Sequence, residues 1–115
     1  MTDLINKKII LVNSKKIAAM HIQHEEKEDG KGSFFVMGED SPLAEMTYTI
    51  ANKNLMIIQH TEVNDMLKGK HVGHQLINAA VSYARQKELK IFPLCPFVKA
   101  VFSKNEELYK DVWNK

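Results

Sequence analysis

The hydrophobic period of this chain changes twice between residues 55 and 95, and no other feature restricts its fold as much. "LMIIQHTEV" (55–63) reads as a strand. At Val72 the spacing becomes helical: Val72, Leu76, Ile77, Ala80, Val81 and Ala84 share one face, predicting an amphipathic helix of about four turns that ends near Glu88. "LKIFPLC" (89–95) returns to strand. A strand, a helix and a further strand form a crossover unit, so the two strands should be parallel neighbours.

Upstream the pattern is a succession of strands and tight turns. "KKIAAMHIQHEE" (15–26) and "GSFFVMGED" (32–40) flank "KEDGKG", an Asp-Gly turn signal. "SPLAEMTYTIANKN" then alternates Leu43, Glu45 and Thr47 against Ala44, Met46 and Tyr48, and "ANKN" makes the turn into 55–63. Four consecutive strands joined this way form an antiparallel meander. "LMII" is apolar on both faces, as expected of a central strand covered from both sides. Everything after Pro96 reads as helix, with Phe97, Val98, Val101 and Phe102 in one apolar stripe and Leu108, Val112 and Trp113 in another. The fifth strand is then an edge, which accommodates Pro93. The expectation is an α+β fold: a five-stranded mixed sheet, a long helix after strand four and two C-terminal helices.

With 115 residues, residues 1–115 are expected to be a single domain. A net charge of +2 without a basic stripe argues against nucleic acid as a partner. A signal peptide and an apolar run near the ~20 residues that span a bilayer are both missing, so a cytoplasmic monomer away from membranes is expected. The single cysteine excludes an internal disulfide.

Chemistry concentrates at two places. The joint "NDMLKGKHVGHQL" puts glycines and lysines at a helix start, where unpaired backbone N–H groups and the helix dipole favour an anion. It lacks the Gly-Lys-Ser/Thr of a Walker loop and the spacing of a dinucleotide fingerprint, and an ordinary glycine loop with solvated lysines has the same composition. The second place is Cys95, between Pro93 and Pro96. Proline suits the first position of a helix, so Cys95 sits at a helix N-terminus with Lys99 one turn on, a setting that favours a thiolate. A lone cysteine is also, by default, a small buried hydrophobe. On strand four, His60 and Glu62 share one face, with Gln59, Thr61 and Val63 on the other. The pairs His21/His24 and His71/His74 lie on different elements with no further ligand, so no metal is expected.

"LKGKHVGHQLINAAVSYARQKEL" resembles the acetyl-CoA-binding segment of the GCN5-related N-acetyltransferases, whose pattern is Arg/Gln-x-x-Gly-x-Gly/Ala. Lys68, His71 and Gly73 occupy its three defined places, Lys replacing Arg/Gln and His the middle Gly. His is among the side chains that tolerate a positive φ there. With "AEMTYTIANKNLMIIQHTEV" and "LKIFPLCPFVKAVF", residues 43–113 are similar to a small cysteine-containing, N-acetyltransferase-like subfamily. The resemblance implies that strands four and five splay apart and hold the pantetheine arm of acetyl-CoA (CoA) against the backbone of Thr61 and Val63. It places the pyrophosphate on Lys68, Gly69, Lys70, His71, Val72, Gly73 and His74, and the thioester end near Cys95, Phe97, Lys99 and Phe102. Acetyl transfer to an amine acceptor would then involve Cys95, or Glu62 or His60 as base. The family's Asn-x-x-Ala-x-x-x-Tyr is not kept: with Ala100 on its alanine, Phe97 and Lys104 fall at the Asn and Tyr places, leaving Tyr109 as the nearest substitute, and the family's two final strands are missing. A non-catalytic CoA-binding or sensing module is the alternative.

Overall fold

In the computed structural model, which describes residues 21–115, a five-stranded sheet has the order β1-β2-β3-β4-β5. Its strands are β1 (Gln23–Glu26), β2 (Lys31–Met37), β3 (Pro42–Asn52), β4 (Leu55–Val63) and β5 (Lys90–Pro93). β1 to β4 form the antiparallel meander, and β4 and β5 are parallel across the crossover helix α1 (Val72–Lys87). Two short helices follow, α2 (Pro96–Lys104) and α3 (Glu106–Tyr109).

The apolar stripe read from the sequence is the buried face of α1: Val72, Leu76, Ile77, Ala80, Val81 and Ala84 are all inaccessible. They join Phe34, Val36, Ala44, Met46, Tyr48, Met56 and Ile58, which the period-2 alternation turns to one face of the sheet, in a single core. Ile91, Val98, Phe102, Tyr109 and Val112 extend that core under the C-terminal helices. Strand four matches its expected bounds, whereas strand one begins only at Gln23 and strand two stops at Met37. Residues 15–20 of the expected first strand lie outside the described residues.

A β-bulge in β4 alters what its side chains face. Thr47 pairs with His60 but Tyr48 with Ile58, so Gln59 is an extra residue without a direct partner. The phase shifts there: Met56 and Ile58 before it, and Thr61 and Val63 after it, share a face with Tyr48, Met46 and Ala44. Gln59 therefore does not accompany Thr61 and Val63 as simple alternation predicts. Its side chain turns the other way and accepts a hydrogen bond from Thr49 Oγ1 at 3.2 Å.

The C-terminus departs from the all-helical expectation. α3 is one turn, Leu108 is 58% exposed and Val112 is buried, so these two share no stripe. Past α3 the chain returns to the outer side of β5. Ile91 N–H donates to Val112 C=O at 2.6 Å, and Asn114 N–H donates to Ile91 C=O at 2.8 Å, giving an isolated parallel bridge between Ile91 and Trp113. β5 is thus a covered edge.

Candidate active site in the fork between two parallel strands

β4 and β5 run together for four residues and then part. Their pairing ends at Ile58 and Pro93. Leu94 N–H and Cys95 N–H both converge on Ile58 C=O, at 2.9 and 3.1 Å, and the flanking Pro93 and Pro96 have no N–H to extend the ladder. β4 continues to Val63 with β3 alone. Asn64 N–H donates to Leu43 C=O at 2.7 Å, so by alternation Val63, and Thr61 two residues earlier, turn their backbone N–H and C=O toward the gap. The bulge makes this possible, because without the extra residue Ile58 and Thr61 could not both face β5.

The gap opens into a cleft of about 430 Å3. Thr61 and Val63 line it from β4, Lys68, Gly69 and His71 from the loop, Val72, Gly73 and His74 from the start of α1, and Phe97 from α2. Nine residues anticipated from sequence thus meet in one place. Leu67, which also lines the cleft, was not anticipated. It is buried at the end of a single 3₁₀ turn, Asp65–Leu67, capped by Asn64, whose Oδ1 accepts from Met66 N–H at 2.8 Å. The "NDML" pattern carries that capping signal.

The loop is shaped to present backbone donors. Gly69 (φ 84°) and His71 (φ 59°, ψ 29°) both adopt left-handed conformations, which glycine takes without strain and a residue with a Cβ does not. The first helical bond of α1 runs from Gln75 N–H to His71 C=O at 3.1 Å, which leaves the amides of Val72, Gly73 and His74 without helical acceptors. With the dipole and Lys68 they make the cleft mouth attractive to anions. Lys68 is itself paired with Asp65 at 3.3 Å, an exposed bridge of little energetic weight.

Cys95 caps α2 but is 4% exposed, and its Sγ lies 3.4 Å from Thr61 Oγ1. Thr61 is the half-buried residue that faces the cleft, so the thiol stands one side chain behind the cleft wall. Lys99 N–H donates to Cys95 C=O at 3.1 Å, and Lys99 is exposed on α2 outside the cleft lining. Lys70 is likewise exposed beside the cleft. Phe102 belongs to the core instead: it is fully buried and stacked on Tyr109, with ring centroids 4.5 Å apart. That stacking also removes Tyr109 from the fork. Glu62 and His60 are exposed on the opposite face of β4 from Thr61, with Glu62 directly across from Glu45. Glu62 and Val63 line a second depression with Glu45 and Asn64, so Val63 forms part of both hollows.

Comparison with known proteins adds a family to this geometry. A family model described as GCN5-related N-acetyl-transferase matches residues 33–112. The chain belongs to the GCN5-related N-acetyltransferase family. A GCN5-like protein from Staphylococcus aureus, described as an N-acetyltransferase candidate and solved in solution, is 36% identical over 82% of this chain and 87% of its own, with a TM-score of 0.63. The ribosomal-protein-alanine N-acetyltransferase from Brucella melitensis shares the fold at 13% identity, covering 76% of this chain and 64% of its own, with a TM-score of 0.53. No curated protein matches the chain significantly. Within the acetyltransferase fold, the parallel strand pair and the helix that follows strand four are the elements that build the cleft described above.

Proposed function

We propose that this chain binds acetyl-CoA in the fork between β4 and β5 and passes the acetyl group to an amine, with Cys95 as the nucleophile that first receives it. The observation that carries this reading is a cleft that runs from the amides at the start of α1 past the turned backbone of Thr61 and Val63, with the buried Cys95 thiol directly behind Thr61. Pyrophosphate suits the amides of residues 72–74 and Lys68, and the amides of the pantetheine arm suit the free edge of β4 as an added strand. In the covalent route the Cys95 thiolate attacks the thioester carbonyl, a new carbon–sulfur bond forms, and CoA leaves as a thiolate that takes up a proton. An amine then attacks the acetyl-cysteine and restores the thiol. In the direct route the amine attacks the thioester itself, with Glu62 or His60 taking its proton from the other face of β4. Among the described residues no helix is long and apolar enough to cross a membrane.

A CoA-binding module without turnover is the second reading. It is favoured by the burial of Cys95 and by the enclosure of Tyr109, which leaves the cleft without a tyrosine hydroxyl. Intact-mass measurement after mixing with acetyl-CoA separates the two. The covalent route predicts one acetyl adduct on wild type, its absence in Cys95→Ala, and its discharge by a suitable amine. No adduct and no CoA release with any amine, despite binding, supports the module.

A further inference from the structure

Two backbone hydrogen bonds pin Cys95 in place: its N–H donates to Ile58 C=O, and its C=O accepts from Lys99 N–H, both at 3.1 Å. In front of it stands a side chain that a single torsion can move. The bulge at Gln59 turns Thr61 toward β5, where it lines the cleft and is half-buried. Sulfur and hydroxyl meet there, the thiol donating to Thr61 Oγ1 at 3.4 Å. Cys95 itself is 4% exposed and does not line the cleft, so anything approaching from the cleft meets Thr61 before it meets sulfur. Among the described residues that line the cleft, Thr61 alone carries a hydroxyl. Rotation of Thr61 between staggered χ1 wells takes that hydroxyl off the sulfur without moving the backbone.

We infer that Thr61 is a gate on Cys95, a positioning residue whose bulk closes the thiol off at rest and whose rotation about χ1 opens it to an electrophile in the cleft. The gate deepens the acetyl-CoA reading and rests on it, because that reading supplies the electrophile, a thioester. Rotamer exchange is fast compared with acyl transfer, so a sulfur that is inaccessible at rest is still usable as an acceptor. The hydroxyl has its own part in the closed state: it gives the buried thiol an acceptor that a hydrocarbon wall would deny it.

Alkylation of Cys95 by iodoacetamide, followed by intact mass, tests the gate without any need for turnover. Removing bulk should open it: Thr61→Ala should be labelled about tenfold faster than wild type, with Thr61→Ser between the two. Thr61→Val keeps the bulk without the acceptor and should stay within about twofold of wild type. Equal rates in wild type and Thr61→Ala overturn the gate. So does a Thr61→Val rate as high as that of Thr61→Ala, which would make the hydrogen bond the barrier in place of the bulk. Low urea separates opening from unfolding: the Thr61→Ala rate should be insensitive to it, and a rate that climbs steeply with urea overturns the inference. Desulfo-CoA, which has no thiol to consume the reagent, should slow the labelling of Thr61→Ala, since the cleft is the route to sulfur. Labelling that ignores bound desulfo-CoA overturns the gate alone. A wild type that binds neither desulfo-CoA nor acetyl-CoA overturns the acetyl-CoA reading and this inference with it.

Discussion

His24 shows how an exposed polar residue on an edge strand can be tied to the core beside it. Its ring stacks on Phe34 with centroids 4.1 Å apart, and its Nε2 lies 2.6 Å from Tyr48 Oη. Tyr83 donates to Glu26 Oε2 at 2.9 Å and packs edge-on against the His24 ring at 4.6 Å, which ties α1 to the β1 edge. Burial pushes the His24 imidazole below its usual value, outweighing the pull of Glu26, and pushes the Tyr48 and Tyr83 hydroxyls up. The sign follows: because folding favours neutral His24, its contribution to stability is complete above about pH 6.5 and is lost as pH falls through and below that value. The midpoint of urea unfolding should therefore decline between pH 7 and pH 5. His24→Phe, which retains the stacking surface, should flatten that decline, and a variant with wild-type slope would show that other groups cause it. None of this cluster was legible beforehand, because its members lie on four elements and only the fold joins them. Phe97, expected beside Cys95, lines the cleft, whereas Phe102, expected there by the same reasoning, lies in the core.

At the level of elements, the strongest periodicities carried over best. The buried face of α1 and the bounds of β4 could be read directly, since each repeats one period over several turns or pleats. The bulge at Gln59 could not, because one extra residue leaves no compositional mark, and it reassigned the face of Gln59. The loop before α1 yields its own prediction. His71 is held at φ 59° with no side-chain capping bond, a conformation that costs a residue with a Cβ about 1 kcal/mol. His71→Gly should relieve that strain and leave thermal stability unchanged or raised by about that amount, as read from calorimetry. A clear loss of stability would mean that the imidazole makes contacts outweighing the strain.

For the whole molecule, the surprise is how the C-terminus closes the fold. Helix expectation ran through residues 108–113 because Leu108, Val112 and Trp113 match a helical spacing, but a one-turn α3 and the bridge to Ile91 take precedence. The open edge of β5 is an unfavourable row of unpaired groups, and pairing it with the returning chain relieves that. Deleting residues 112–115 removes the buried Val112 side chain and both backbone bonds to Ile91, so denaturant unfolding should show a loss of about 3 kcal/mol or more. That is a large share of the ~5–15 kcal/mol typical of a domain, and an unchanged midpoint would make the bridge incidental.

The central claim is that acetyl-CoA lies in the fork, and amide chemical-shift mapping during an acetyl-CoA titration tests it most directly. The account predicts saturable shifts concentrated at Thr61 and Val63, at the loop and helix start from Lys68 to His74, and at Leu94, Cys95 and Phe97 on the β5 side of the fork. Saturable shifts confined elsewhere, for example to the hollow formed by Arg85, Glu88 and Asp111 at the far end of α1, would contradict it, as would no shift at all at millimolar ligand.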